Sequence, residues 1–468
     1  MTLKMNVARE HLLVFARYPQ PAATKTRLIP AMGPVRAAAL AQWLTQRTLD
    51  LAHSFALQRG CQLTVYFTGG DAQAMRAEFG DDVHFVQQSG NDLGERLTQA
   101  TRQCWSQAAE RVVVIGSDCY QLSSAQLNQA FERLMDADVV LGPAVDGGYY
   151  LIGLNRSDRS QERDAAIDVD GCDVTSNCLP VFDRIDWGSP QVLTQTKRAI
   201  KLWGKTHCEL LPLADIDFPE DTLELRRAFQ TSEAHPPACG WYTSHPGRLS
   251  VIVAALNEAE HLPATLQSIG KPHEQLEVIV VDGGSSDETV AIADEFGAQV
   301  FVANRGRARQ MNAGAAIATG QTLLFLHADT RLPTDYAKRI EDCLASAVAG
   351  AFRLHIAGAG AALRLVAWGS NLRSRLLQLP YGDQAIFMRA STFYQLSGYR
   401  PLPIMEDYEL IQRLRRLGKV GLADSSVSTS ARRWRKKGVW STTLRNQQCL
   451  VAYKCGLSTE RIARLYRS

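Results

Sequence analysis

The 468-residue sequence predicts two α/β domains in tandem, each a mostly parallel sheet with helices on both faces. Three observations carry this expectation. Short, unbroken apolar runs alternate with helical stretches along both halves, and runs of that kind belong to strands buried on both faces. A segment rich in Pro, Gly, Ser and His, SEAHPPACGWYTSHPGR at 232–248, interrupts the alternation without any periodicity of its own. The two halves also repeat one ordering. Each opens on a strand, and each later has an apolar strand ending in a small residue and Asp: VVVIGSD at 112–118 and LLFLHAD at 323–329. The expected domains are residues 1–231 and 248–468, with 232–247 as the linker.

Composition narrows the function classes. Apolar content of 46% and charged content of 21% are those of a globular chain with a substantial core. A net charge of +3 is too small to argue for a nucleic-acid partner. The charge is unevenly placed: Ala431 to Ser468 holds ten Lys or Arg residues against one acid, Glu460. Such a tail suits an anionic partner, including peripheral contact with an anionic membrane, or it is simply a solvated basic helix. The ten cysteines form no C-x-x-C pair, which reads as reduced thiols in the cytoplasm. No stretch reads as a signal peptide or a membrane span. The nearest candidate, Ala347 to Trp368, is broken by Arg353, His355 and Arg364 and is expected to lie on a membrane surface at most.

In the first half, HLLVFA, QLTVYF, DVHFV, RVVVIGSD and DVVLG read as strands, with helices over Val35–Leu57 and Gly94–Ala108. After the first strand, FARYPQPAATKTRLIP carries Lys25, Thr26 and Arg27, and two cations on such a loop can grip phosphates. Asp92 follows in SGNDLGERLTQA. Asp118 ends a buried strand, and Asp146 precedes Gly147 and Gly148, a turn that lets backbone approach a ligand. Asp217, in DIDFPEDTLEL, reads equally as a second metal carboxylate or as part of a helix start at Pro219–Glu220.

In the second half, LSVIVAAL, LEVIVVDGG, AQVFVA and QTLLFLHAD are strands, with helices at His261–Ile269, Glu288–Phe296 and Ala308–Ile317. Strand ends place Asn257–Glu258 and Asp282 where a nucleotide's base or ribose would sit. Ser285 and Glu288 have capping-box spacing, so Ser285, Asp287 and Glu288 are expected to cap a helix while Asp282 is free for function. Arg307, Arg309 and Gln310 lead into a small-residue helix whose Gly314 permits close packing, and the guanidinium groups suit a diphosphate. Asp329 is the expected ligand of Mn2+ or Mg2+, which takes oxygen donors and bridges phosphates. His327 is expected to contact the nucleotide. Asp383, Glu406 and Asp407 follow in LPYGDQAIF and LPIMEDYELIQRL. A carboxylate there suits the base that a displacement at a sugar carbon needs, although Asp407 also opens an apolar-periodic helix as an N-cap would.

At these residues the second half resembles family-2 glycosyltransferases of the GT-A (nucleotide-diphospho-sugar transferase, Rossmann-like) fold. It is most similar to the radical-SAM/selenodomain-associated transferase 2 group, also described as arsenosugar-biosynthesis-type. The matching pieces are VIVAALNEAEHL, VIVVDGGSSDET, GRARQMNAGA, FLHADT, LPYGDQAIF, MEDYEL and TSARRWRKKGVW. The resemblance implies nucleotide-sugar binding by Asn257, Glu258 and Asp282, metal binding by Asp329, and Asp407 as general base of an inverting transfer. It also implies Arg433 and Trp434 near the donor diphosphate or acceptor, and a small or lipid-linked acceptor. The first half, Leu12 to Leu225, resembles the transferase 1 partner of the same pair and nucleotidyltransferases of related fold. That resemblance rests on Lys25–Thr26–Arg27 and DIDFPED, and it implies metal carboxylates at Asp118 and Asp217. Two positions depart from the pattern: Pro21–Ala22–Ala23 stands where relatives usually carry a glycine, and Tyr120 where a proline commonly follows the cysteine. Three functional readings follow. The first half transfers a sugar too, or it makes the nucleotide-sugar by nucleotidyl transfer, or the chain is a non-catalytic nucleotide-binding scaffold.

Overall fold

The computed structural model describes residues 9–156, 178–231 and 245–467. Its contacts divide the chain into two compact units, residues 1–29 with 33–217, and residues 30–32 with 218–468. The division at 217/218 lies upstream of the boundary expected after residue 231. The reason is the helix Thr222–Gln230, which packs on the helices Arg307–Ile317 and Ala390–Gln395 of the second unit. Leu223, Leu225 and Ala228 are buried there. Arg226, 3% exposed, donates to the carbonyl of Ala318 at 3.2 Å and the hydroxyl of Tyr394 at 2.8 Å. Most of the expected linker, 232–244, lies outside the described residues, and a strand begins at His245.

The first unit holds seven strands: β1 Glu10–Arg17, β2 Gln62–Thr68, β3 His84–Gln87, β4 Arg111–Gly116, β5 Val139–Pro143, β6 Tyr149–Asn155 and β7 His207–Glu209. They lie in the order β3-β2-β1-β4-β6-β5-β7. The first four are parallel, β6 runs antiparallel between β4 and β5, and β7 is parallel to β5. Alternate residues of β1 enter opposite cores. Leu12 and Val14 pack with Phe55 and Phe131, while Leu13 packs with Val112 and Val114. The helices Pro34–Arg59 and Leu93–Ser106 cover the sheet at the expected positions.

The second unit holds eight strands: β8 His245–Ala255, β9 Leu276–Asp282, β10 Gln299–Val302, β11 Gly320–His327, β12 Thr330–Arg331, β13 Ala349–Ala357, β14 Ile386–Arg389 and β15 Val420–Ser430. Their order is β10-β9-β8-β11-β14-β13-β15-β12. Without the edge strand β12, this order matches the first sheet strand for strand, including the antiparallel insertion of β14 beside β11. Two doubly wound sheets of one topology stand in one chain, as the repeated ordering predicted. Gly314 serves as expected: a Cβ there would lie 2.4 Å from Ile252 Cγ2, so only glycine lets its helix press onto β8.

Ala347 to Trp368, expected on a surface, divides instead. Ala349–Ala357 is a strand of the sheet, and the helix Ala361–Leu377 follows. The alternating burial of β13 places Arg353 and His355 on its exposed side, so the charges that interrupt the run do not interrupt the strand. Among the described residues no helix is long and apolar enough to cross a membrane.

Candidate functional site

In the second unit, strand register brings the polar strand ends to one edge. Ala255 pairs with Asp282, and Ala254 with His327, so Asn257–Glu258, Asp282 and His327–Asp329 follow adjacent carboxyl ends. Several of the expected ligand residues there are already occupied by their own loops. Asp282 is 1% exposed. Its Oδ2 accepts from the amides of Gly284 and Ser285, each at 2.8 Å, and its Oδ1 accepts from the Ser285 hydroxyl. Asn257, at φ +52°, accepts from the Ser286 amide at 2.8 Å and ties the first two loops together. Gln310 is buried and donates from Nε2 to the carbonyls of Ala255 and Val281, both at 2.8 Å, which braces β8 against β9. The expected capping box at Ser285 and Glu288 does not form. The helix starts at Thr289, and Asp287 accepts from the Thr289 amide and hydroxyl and the Ala259 amide; the Thr289 hydroxyl bond is the main reason its carboxyl lies below the usual range.

Across this edge lies a small cavity of about 10 Å³ lined by Arg307, His327, Gly382, Tyr399, Glu406 and Asp407, among others. Asp407 is fixed from two sides: Oδ2 accepts from the Gly382 amide and Oδ1 from the Tyr408 amide, each at 2.7 Å. It is not the N-cap of its helix. That position belongs to Met405, whose φ of +71° is strained for a non-glycine residue, and the helix runs from Glu406. Gly382 separates the two groups of interest; a Cβ on it would lie 3.0 Å from His327 Nε2 and 3.3 Å from Asp407 Oδ2. Glu406, 5% exposed, pairs with Arg307 at 3.1 Å. Burial pushes its carboxyl up, Arg307 opposes this, and neighbouring Asp407 adds to it. Asp383 is half-buried in the same loop as Gly382. Arg309 lies apart, exposed and within electrostatic reach of Glu220.

Two residues of the basic helix Arg432–Lys437 meet different fates. Trp434 is buried in a small core with Leu354, Ile356, Leu363 and Ala431, so its ring is a packing element. The side chain of Arg433 lies outside the described residues. Its neighbour Arg432, not singled out by the sequence, binds Glu258 Oε1 at 2.6 Å. The two are 174 residues apart, and no local pattern signals such a pair.

Asp329 is a half-buried carboxylate at the end of β11, with Thr330 Oγ1 3.5 Å from its Oδ1. Among the described residues, no three His, Cys, Asp or Glu side chains converge as a closed metal cage. Asp329 by itself offers carboxylate oxygens, the donor type that Mg2+ and Mn2+ take.

In the first unit a cavity of about 370 Å³ opens beside Arg17, Lys25, Arg27, Arg96, Asp118 and Asp217. The expected phosphate cations and metal carboxylates meet one another here. The Lys25 ammonium lies 2.9 Å from Asp118 and 3.1 Å from Asp217, and donates to the Ile216 carbonyl at 2.6 Å. Arg27 takes the other oxygen of Asp217 at 3.0 Å. Burial works against the charge on Lys25, yet the two carboxylates outweigh it and hold the ammonium above its ordinary value. A helical turn begins at Pro219, as one reading of this segment expected, but Asp221 accepts the Phe218 amide at 2.7 Å there, and Asp217 is engaged with Lys25 and Arg27. Asp215, not foreseen, stands two residues away. Burial, with Asp118, Asp146 and Asp217 adding and Lys25 opposing, pushes its carboxyl up to about 7. Its signal was present in the sequence as the spacing Asp-Ile-Asp.

Three other expectations in this unit resolve as local structure. Asp92 caps the helix Leu93–Ser106, accepting from the Glu95 amide at 2.8 Å. Asp146 accepts from the Gly148 amide at 2.9 Å within its own turn. Gly147, at φ +97°, makes room for protein, since a Cβ would lie 2.1 Å from the Pro190 carbonyl oxygen. In the loop before Lys25, Ala22 has φ +66°, in the left-handed region that favours glycine.

Comparison with known proteins gives each half a counterpart. Residues 51–189 match the family described as an uncharacterized protein conserved in bacteria (DUF2064), and residues 250–364 match glycosyl transferase family 2. The chain thus carries a match to each family in tandem, one in each sheet. A PGL/p-HBAD biosynthesis glycosyltransferase of Mycobacterium bovis is 42% identical over 91 residues, covering 18% of this chain and 36% of the relative. A dolichyl-phosphate beta-glucosyltransferase of Drosophila melanogaster is 39% identical over 110 residues, covering 19% and 33%. The chain spans about a third of the length of the curated relatives it matches. Among solved structures, a candidate nucleotide-diphospho-sugar transferase from Desulfovibrio desulfuricans shares 28% identity. It covers 49% of this chain and 92% of that chain, with a TM-score of 0.42.

Two outcomes follow from the first-unit geometry. Ala22→Gly should stabilise the protein by about 1 kcal/mol, because it relieves a left-handed alanine; equilibrium denaturation measures it. A carboxyl whose folded pKa is raised contributes stability at low pH and loses it as pH rises through about 7. Asp215→Asn should therefore raise the melting temperature at pH 8 and leave it nearly unchanged at pH 5, which differential scanning calorimetry at the two pH values reads directly.

Proposed function

We propose that the chain is a glycosyltransferase whose second unit moves a sugar from a nucleotide-sugar to a small or lipid-linked acceptor, inverting the anomeric carbon. The observation that carries this reading is the convergence of His327, Gly382 and Asp407 in one pocket at the carboxyl edge of a family-2 sheet, with Asp329 two residues beyond His327. The relative named for dolichyl-phosphate supports a lipid-linked acceptor.

In this reading Asp407 takes the proton of the acceptor hydroxyl as it attacks. Two amide N–H groups hold its carboxylate in place, and Gly382 leaves the space a side chain would fill. Arg307 faces the pocket from the start of its helix and, while paired to Glu406, offers remaining N–H groups to donor phosphate. His327 lines the same pocket and contacts the nucleotide or its ribose. Asp329 would hold Mn2+ or Mg2+, and that ion would neutralise diphosphate charge as the bond to the sugar breaks. Glu258, clamped by Arg432, and Asn257 shape the loop that borders the base.

The first unit is a related transferase. Sugar transfer and nucleotidyl transfer both remain consistent with its cavity, where Lys25, Arg27, Arg17 and Arg96 face carboxylates that are able to carry a divalent ion. Release of pyrophosphate from a nucleoside triphosphate and a sugar phosphate would assign nucleotidyl transfer to it.

Asp407→Asn should lower kcat by about 100-fold or more while leaving nucleotide-sugar affinity almost unchanged; full turnover in that variant would remove Asp407 as base. Asp329→Ala should abolish the gain in nucleotide-sugar affinity that manganese confers on the native chain. Calorimetry with and without the ion tests this, and equal affinities for the native protein would remove the ion from the site.

A further inference from the structure

The helix Ala361–Leu377 is apolar on two opposite sides. One side, through Leu363 and Ala367, fills the small core with Leu354, Ile356 and Trp434. The other carries Leu365, Trp368, Leu372 and Leu376, exposed by 52%, 62%, 39% and 68%. Their spacing of three, four and four residues makes a single stripe that lies outside the apolar cores. The helix Val439–Lys454, which meets the same small core through Val439, adds Trp440 and Leu444, exposed by 63% and 61%. Paired stripes of this size mark an interaction surface.

The charge around the stripes identifies the occupant. Residues 361–377 hold three Lys or Arg and residues 431–455 hold seven, and neither segment contains Asp or Glu. A two-fold contact between copies of the chain would set this basic face against itself with no acid to pair. Leucine and tryptophan on the outer face, flanked by arginine, match the interfacial layer of an anionic bilayer, where rings sit among headgroups and basic stems reach lipid phosphates.

The same helix leads into the reacting site. Arg373 donates to the Leu379 carbonyl at 2.9 Å, and its guanidinium stacks 3.6 Å from the centre of the Tyr381 ring. The next residue, Gly382, is the one that holds Asp407.

We propose that the outward face of the helices Ala361–Leu377 and Val439–Lys454 docks on an anionic lipid bilayer and brings a lipid-borne acceptor to Asp407. The docking stands by itself; the consequence for the acceptor rests on the sugar-transfer reading. Flotation of the full chain with phosphatidylcholine vesicles, with and without phosphatidylglycerol, tests it. Binding is expected only with the anionic lipid and is reversed by high salt. Arg364→Gln with Arg375→Gln should weaken partition about 30-fold, at about 1 kcal/mol for each arginine near an anionic surface. Leu365→Asp with Leu376→Asp should weaken it about tenfold or more. Both pairs are solvent-exposed, so circular dichroism and the melting temperature should stay at native values. No binding to anionic vesicles, or undiminished binding by both double variants, overturns the proposal. So does a native dimer that sedimentation shows to become monomeric in the Leu variant. Vesicle binding without any sugar transfer would uphold the docking face and refute the sugar-transfer reading.

Discussion

Burying a parallel sheet on both faces is the constraint from which the rest of each unit follows. Leu12 and Leu13 enter opposite cores of the first unit, and Val251 and Ile252 of the second are both fully buried. With its faces filled by apolar side chains, such a sheet has its ends left for polar chemistry, and the parallel strands end together. Lys25 and Asp118 gather at that edge in one unit, and Asn257, Asp282 and His327 in the other. The shared strand order makes the two edges counterparts of one another.

In both units the charged groups at the edge neutralise one another. Lys25 lies between Asp118 and Asp217, Arg307 holds Glu406, and Arg432 holds Glu258. Lys25, Glu406 and Glu258 are the more buried members, and a buried charge without a partner is costly, so each is matched by its pair. An anionic ligand reaching Lys25 or Arg307 competes with those carboxylates, and a cation reaching Asp118 or Asp217 competes with Lys25. Asp407 differs in kind, because backbone amides hold it.

The parallel strands and their helices were legible because unbroken apolar runs report burial on both faces. The later strands of the second sheet were less so. Along β15, VGLADSSVSTS, polar residues occupy exposed and buried positions alike, and β14 is only four residues long. Asp407, His327 and Asp329, on which the proposed function rests, stand out in the sequence as polar residues at the ends of apolar elements. Asp282, Gln310 and Asp92 looked the same in sequence, and their oxygens or amide, like those of Asp407, are engaged with backbone. Residue type does not reveal whether a hydrogen-bonding group is already satisfied. The pairs Lys25–Asp217 and Glu258–Arg432 join residues far apart in the chain, so they appear only once the sheet is assembled.

Hydrogen–deuterium exchange of the full chain with a panel of nucleotide-sugars and manganese tests most directly where the donor binds. The account predicts slowed exchange in backbone amides at 327–331, 382–384 and 405–408, where Asp329, Gly382 and Asp407 stand. Protection confined to 15–27 and 116–118, with no change at the carboxyl edge of the second sheet, would contradict it.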